Sequence, residues 1–303
     1  MKEDKEPINV GLSFKKVKVP PNKKMPTSYK LYRTLKIGSK RKKMMLDFFE
    51  LEAADRRLRS FTEPLPPNVT YLDVYVEVGE ESERVVLNWY HIKSLDPYIS
   101  LQEEFNVIKS LIPTFVCGWL YDACIDGFLT ILTQLSCENR KLSYISSIVP
   151  HALHTHYPDN PSASPDIAII REKLMVRNLA YVFMPLNIRG SHWTVIIAAV
   201  REKQIWVLDP DSDRLNDGVS DLKIWYAKLI QDEILLGLHM EYFPILSPRH
   251  TLQTDTMSCG VYILWYCDQI SNNDQITGSF DVDEYRNSIY TSFQYLRNRA
   301  VRV

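Results

Sequence analysis

The chain has 303 residues, 45% of them hydrophobic and 24% charged, with a formal net charge of −1. That balance suits one large globular domain plus an extension, and no run of 18 apolar residues is present to serve as a membrane span or signal-type segment. Five cysteines at irregular spacing (Cys117, Cys124, Cys137, Cys259 and Cys267) argue against a disulfide framework and for a reducing compartment, nucleus or cytoplasm.

The near-zero charge hides an asymmetry. Residues 1–60 hold 17 Lys+Arg against 7 Asp+Glu, leaving 19 against 30 for residues 61–303. The basic arm includes Lys15-Lys16-Val17-Lys18-Val19-Pro20-Pro21-Asn22-Lys23-Lys24, in which two prolines prevent a regular element, and the cluster Lys40-Arg41-Lys42-Lys43. It reads either as a solvated disordered arm or as an import signal or nucleic-acid tether, and it is the only part suited to nucleic acid. Residues 1–66 are therefore read as a largely disordered extension. Within it Leu46, Phe49, Leu51 and Leu58 have helical spacing, and Phe61 to Asn68 is a proline-rich linker. Tyr71–Val78 alternates and Arg84–Tyr90 answers it across Gly79-Glu80-Glu81, a β-hairpin within residues 67–95.

Residues 96–303 read as the catalytic part. Trp119–Leu135 carries Leu120, Cys124, Phe128, Ile131 and Leu135 on one stripe with Asp122 and Asp126 off it, an amphipathic helix. Cys117, Cys124, Cys137 and Cys267 are read as core thiols. His151, His154 and His156 precede a proline-rich stretch and read as an exposed polar loop rather than a metal site. Tyr181–Leu186 is a strand and Asn187–Ser191 a turn. Trp193–Val200 is an almost wholly apolar strand, hence buried on both faces, and Gln204–Leu208 returns beside it after the polar connection Arg201-Glu202-Lys203. Asp209-Pro210-Asp211-Ser212-Asp213 resembles a calcium loop, but Arg214 stands where glycine is needed and Ser220 where glutamate is needed. Asp217–Leu236 is a helix stopped at Gly237, with Leu222, Trp225, Tyr226 and Leu229 on one face. His239–Leu246 is a strand and Asp281–Arg299 a final helix.

The segment Gln253-Thr254-Asp255-Thr256-Met257-Ser258-Cys259-Gly260 carries the chemistry. Ser258 is a natural N-cap and Val261–Tyr266 follow without a break, so Cys259 opens a helix whose N-terminus favours a thiolate. His192 starts one strand and Asp209 ends its antiparallel neighbour, so a tight hairpin brings both to one end of a sheet. The order His192, Asp209, Gln253, Cys259 supplies a base, an orienter, an oxyanion donor and a nucleophile for a thiol protease. Asp209 ends its strand directly and is preferred as orienter, with Asp211 the alternative.

These residues, with Trp119-Leu120-Tyr121-Asp122 and His192-Trp193, resemble the ubiquitin-like-protein-specific cysteine proteases, the SUMO protease family and its adenovirus-type relatives. The resemblance covers about residues 85–303 and implies an α+β, papain-like fold in which a central helix carries the nucleophile against a mixed β-sheet. It implies substrate-binding roles for Trp119, Asp122, Trp193 and Gly260, the two tryptophans lining a tunnel for the Gly-Gly tail of the modifier. Tyr121 departs from the family's usual asparagine and Ser258 from its frequent aspartate. The implied partner is a ubiquitin-like modifier of SUMO or NEDD8 type and its conjugates, handled by a monomer without cofactor, metal or membrane. A polyprotein protease with the same triad, a related acetyltransferase using a similar residue set, and an inactive modifier reader are the alternatives.

Overall fold

The computed structural model describes residues 61–80, 83–101, 103–136, 140–215, 222–238 and 242–300. The basic arm, the helical spacing at 46–58, Cys137 and the start of the helix expected from Asp217 lie outside them.

The long apolar run of the sequence forms the centre of a five-stranded sheet. Its strands are β3 (Lys141–Tyr144), β4 (Leu179–Ile188), β5 (His192–Ala199), β6 (Gln204–Leu208) and β7 (Ile245–Leu246), hydrogen-bonded in that order. The β4–β5 and β5–β6 pairs are antiparallel, whereas β3 and β7 pair in parallel at the two edges, so the sheet is mixed. Strand β5 is central because both its faces are apolar. Trp193, Val195, Ile197 and Ala199 enter one core and Ile196 and Ala198 the other, which is why the run lacks alternation. The β4–β5 connection turns at Arg189 (φ 55°) and Gly190 (φ 71°), a left-handed pair of the kind that matches strand twist.

A small hairpin, β1 (Val74–Val78) with β2 (Val85–Asn88), precedes the helices α1 (Trp89–Ser94), α2 (Glu103–Leu111) and α3 (Asp122–Gln134). The second strand stops earlier than alternation suggests. Trp89 opens α1 instead, buried with its ring edge-on to Tyr75 at 4.8 Å. Helix α3 starts at Asp122, not Trp119, because Gly118 takes a left-handed φ of 78° and Tyr121 is extended. Nor is α3 amphipathic. Asp126 is buried, and its carboxylate accepts from Ser146 Oγ (2.6 Å) and Ser147 N (3.1 Å), while Leu135 is exposed. Those serines lead into α4 (Ile148–His156), so the three histidines lie on a helix rather than a loop, exposed as expected; no metal-binding group occurs among the described residues.

Helices α4, α5 (Ile167–Leu174) and α6 (Leu222–Leu238) cover one face of the sheet. Of the strand expected over His239–Leu246, the described residues from 242 on form only the two-residue β7, and α6 runs past Gly237 to Leu238. The other face receives α3, α7 (Cys259–Ser271) and α8 (Val282–Ala300), with α7 lying between β5 and α3. Asp281 Oδ1 accepts from the N–H groups of Asp283 and Glu284, both at 3.0 Å, which fixes the start of α8. The hairpin belongs to this same core, as do Phe61 and Leu65, and the compact unit spans Arg59–Val303. The proline-rich linker is thus packed against the body rather than spaced from it.

Candidate active site

Antiparallel pairing of β5 with β6 brings the start of one strand beside the end of the other. His192 Nε2 lies 2.7 Å from Asp209 Oδ1. The aspartate is buried, and each of its oxygens has a further donor. Oδ1 also accepts from Asp211 N (3.0 Å), and Oδ2 accepts from Lys223 Nζ (3.0 Å), a buried ammonium on the first turn of α6. Its carbonyl lies 2.9 Å from His250 Nε2. Burial opposes the charge on Asp209, but His192, the Asp211 N–H and Lys223 prevail and hold its pKa below the ordinary carboxylate value. For His192 burial again works against the charged form. The hydrogen bonds and charges of Asp209 and Cys259 outweigh it and raise the ring to about 10. With Nε2 committed to Asp209, the other ring nitrogen, Nδ1, is the one free to exchange a proton with the thiol. Nδ1 also has Asp211 Oδ2 at 3.6 Å.

Cys259 is the first residue of α7 and is buried next to that ring. The first-turn N–H groups of a helix have no intrahelical acceptor, so they concentrate positive potential where a thiolate or an oxyanion would form. The cap differs from expectation. Ser258 makes no side-chain cap bond; its Oγ accepts from Arg286 Nη2 at 3.1 Å instead. The approach to the helix is held by Asp255, whose Oδ1 accepts from Met257 N (2.7 Å) and Ser258 N (2.8 Å). Gly260 faces inward, where a Cβ would come within 3.0 Å of Leu120 Cβ and 3.2 Å of Trp193 Cδ1. Its place is a packing contact that lets α7 sit close to β5.

Gln253 joins this group through the turn after β6. Its N–H donates to Pro210 O at 2.8 Å and its Nε2 donates to Asp211 Oδ1, while Oε1 is buried without a hydrogen-bond partner. Trp193 is buried, with its indole Nε1–H donating to Leu120 O at 2.9 Å. It therefore fixes the segment on which half-buried Trp119 and exposed Asp122 stand. That segment lies against the nucleophile turn, since a Cβ on Gly118 would be 3.7 Å from Met257 Cβ. A thiol at a helix start, an imidazole beside it and a buried carboxylate behind the imidazole form a set capable of acyl transfer.

Residues 166–300 match a family model described as the Ulp1 protease family, C-terminal catalytic domain. All of His192, Asp209, Gln253 and Cys259 fall inside the match. Residues 166–300 of the chain are a Ulp1-family cysteine protease segment. No curated protein matches the chain. Among solved structures, the fold is similar to the C-terminal Ulp1 protease domain in complex with Smt3, the yeast ortholog of SUMO. The TM-score is 0.52 at 16% identity, covering 73% of this chain and 88% of that one. It is also similar to the SUMO protease Ulp1 with its catalytic cysteine oxidised to a sulfenic acid, with TM-score 0.51, 16% identity, and 84% and 94% of the two chains covered. The catalytic domain of a Ulp1-like SUMO protease from Chaetomium thermophilum gives 0.50 at 12% identity, covering 80% and 92%. At such identities the likeness establishes the fold.

Within this Ulp1-family segment, sequence reasoning missed Lys223, Arg286, Asp255 and His250. Lys223 carried one legible signal. It shares an i, i+3, i+4, i+7 stripe with Tyr226, Ala227 and Ile230, all buried. A lysine on a buried stripe calls for an anionic partner.

Proposed function

We propose that this domain hydrolyses the bond following the C-terminal glycine tail of a ubiquitin-like modifier, either an isopeptide bond to a target lysine or a peptide bond in a precursor. The reading is carried by one observation: His192 is held by Asp209 at 2.7 Å through Nε2 while its other edge meets Cys259 at the start of α7. The family of the domain supports it, and a SUMO-type partner is supported by the Smt3 complex of the similar Ulp1 domain.

Cys259 Sγ attacks the carbonyl carbon as thiolate, and the carbonyl oxygen takes up the displaced electron pair. First-turn N–H groups of α7 and the side-chain amide of Gln253 stabilise that oxyanion. As the tetrahedral intermediate collapses, His192 gives its proton to the leaving amine and a thioester remains on Cys259. Neutral His192 then takes a proton from water, whose hydroxyl adds to the thioester. Collapse expels the Cys259 thiolate and frees the acid product, which loses its proton to solvent, while His192 keeps the proton it took from water and the thiolate–imidazolium pair is restored. Asp209 keeps the ring in one orientation through both halves. Trp119 has the exposed surface to contact the tail, and buried Trp193 supports it from behind.

The test is labelling of the full chain by modifier probes of SUMO, NEDD8 and ubiquitin type that carry a C-terminal thiol-reactive group, with Cys259→Ala alongside. Labelling by one probe, lost in the variant while noncovalent modifier binding persists, is the expected result. A folded protein that no probe labels would sink the reading and direct attention to polyprotein peptides and acetyl transfer.

A further inference from the structure

Gln253 presents an unusual balance of polar contacts. A primary amide offers two N–H donors and one carbonyl acceptor, and by a half-turn it can exchange the positions of nitrogen and oxygen. Here the oxygen is buried without a partner, an unfavourable state for a polar atom. The orientation is set at the other end of the amide by Asp211, whose Oδ1 receives Nε2. An ionised carboxylate accepts and cannot donate, and a hydrogen bond to it is roughly twice as strong as a neutral one. The opposite orientation would set two oxygens against each other. The backbone reinforces the pairing, because Gln253 N–H donates to Pro210 O at 2.8 Å and so registers the two residues.

We propose that Asp211 is a positioning residue that fixes the side-chain amide of Gln253 with its nitrogen toward the reaction site, one N–H held by Asp211 and the second left for the oxyanion. The inference rests on the oxyanion role given to Gln253 above. Asp209 and Asp211 thus have parallel tasks on alternate residues of one turn: Asp209 orients the base and Asp211 orients the oxyanion donor. Asp211 is well exposed and reaches His192 Nδ1 only at 3.6 Å, so its contact with the base is the looser of the two. A lone aspartate near a catalytic ring would act through charge. One that fixes an amide would act through its capacity to accept a hydrogen bond, and the two are separable by experiment.

The experiment measures kcat and KM of the full chain on a fluorogenic C-terminal amide of SUMO for Asp211→Ala, Asp211→Asn, Gln253→Ala and the Asp211→Ala/Gln253→Ala double variant. Gln253→Ala should lower kcat by about a hundredfold or more, as for loss of an oxyanion donor. Asp211→Ala should lower kcat by roughly tenfold to a hundredfold with KM little changed, and should add nothing in the Gln253→Ala background. Asp211→Asn, which keeps a carbonyl acceptor without the charge, should recover much of the loss. A full Asp211→Ala loss on top of Gln253→Ala, or no recovery by asparagine, would overturn the inference and place Asp211 on His192 instead. A silent Gln253→Ala with a costly Asp211→Ala would remove the oxyanion role itself. A second readout needs no turnover. The Gln253 side-chain amide, identified in an NMR spectrum by its absence in Gln253→Ala, should show one proton shifted downfield, and Asp211→Ala should abolish the shift. An amide signal indifferent to Asp211 overturns the inference whatever the substrate proves to be.

Discussion

At the scale of single residues, the site is a chain of charges in which each group sets the state of the next. Lys223 neutralises one oxygen of Asp209, and Asp209 holds His192 through the other. The ring's raised pKa, about 10, has a definite consequence for activity. An unperturbed histidine gives up its proton near pH 6.5. Here the folded value lies above that, so the imidazolium persists through neutrality and is lost only as pH rises through about 10. In the proposed mechanism the imidazolium protonates the leaving amine, so the alkaline limb of kcat/KM is expected near 10, and Asp209→Asn should move it toward neutrality while lowering kcat. A pH–rate profile of the two proteins checks this; a limb unmoved by Asp209→Asn would mean that the carboxylate does not set the ring's charge. Lys223→Met should leave Asp209 Oδ2 buried with its ammonium gone. Breaking a buried pair by removing one partner costs about 3–5 kcal/mol, so thermal unfolding should show a fall in Tm of many degrees. An unchanged Tm would show that the pair contributes only what its desolvation costs.

At the scale of elements, the close approach of α7 to β5 decides whether these residues meet. Gly260 permits it, and Gly260→Ala would thrust a methyl to 3.0 Å from Leu120 Cβ and 3.2 Å from Trp193 Cδ1. Overpacking of this kind costs about 1–3 kcal/mol. Calorimetry should therefore give a lower Tm, and activity should fall further than stability because Cys259, the preceding residue, moves with the helix. Wild-type Tm and activity together would show that Leu120 can yield. Much of this arrangement was legible in the sequence where burial leaves a simple pattern. The central strand reads as an unbroken apolar run because it is covered on both faces, and the His192–Asp209 pairing follows from adjacent strand ends. It was not legible where tertiary contacts override local preference. Trp89 and Tyr90 look like strand residues, yet Trp89 opens a helix because Tyr75 offers its ring an edge-on partner. Asp126 looks like a surface residue, yet it is buried where two serines 20 and 21 residues away satisfy it. Asp209 and Asp211 could not be separated by strand parity, since alternate residues of an extended strand share a face, and both indeed reach His192.

At the scale of the whole molecule, the segment just before the hairpin acts as a strap. Composition marks Phe61–Asn68 as a linker, because prolines prevent it from forming helix or sheet. Irregular backbone can still be anchored, and Glu63 anchors this one by three routes. Its N–H donates to Tyr290 Oη at 3.1 Å, its carbonyl accepts from Lys93 Nζ at 2.7 Å, and its carboxylate pairs with Arg297. Phe61 adds a ring contact to Tyr290 at 6.0 Å, and Leu65 packs on the same core. The strap thus joins α1 to α8, the first and last helices of the unit. Lys93 is fully buried, so losing the Glu63 carbonyl would leave its ammonium paired with Glu104 at 3.0 Å and short of one hydrogen-bond acceptor. A chain beginning at Arg59 should therefore match the full chain in Tm and in turnover per molecule. One beginning at Pro67 should be less stable by about 2–4 kcal/mol, from the unmet donor and the apolar surface of Phe61 and Leu65 returned to water. Denaturant titration of the two fragments decides the matter: equal midpoints would make the segment a passive tether, whereas a loss confined to the shorter fragment places the working boundary of the domain before Phe61.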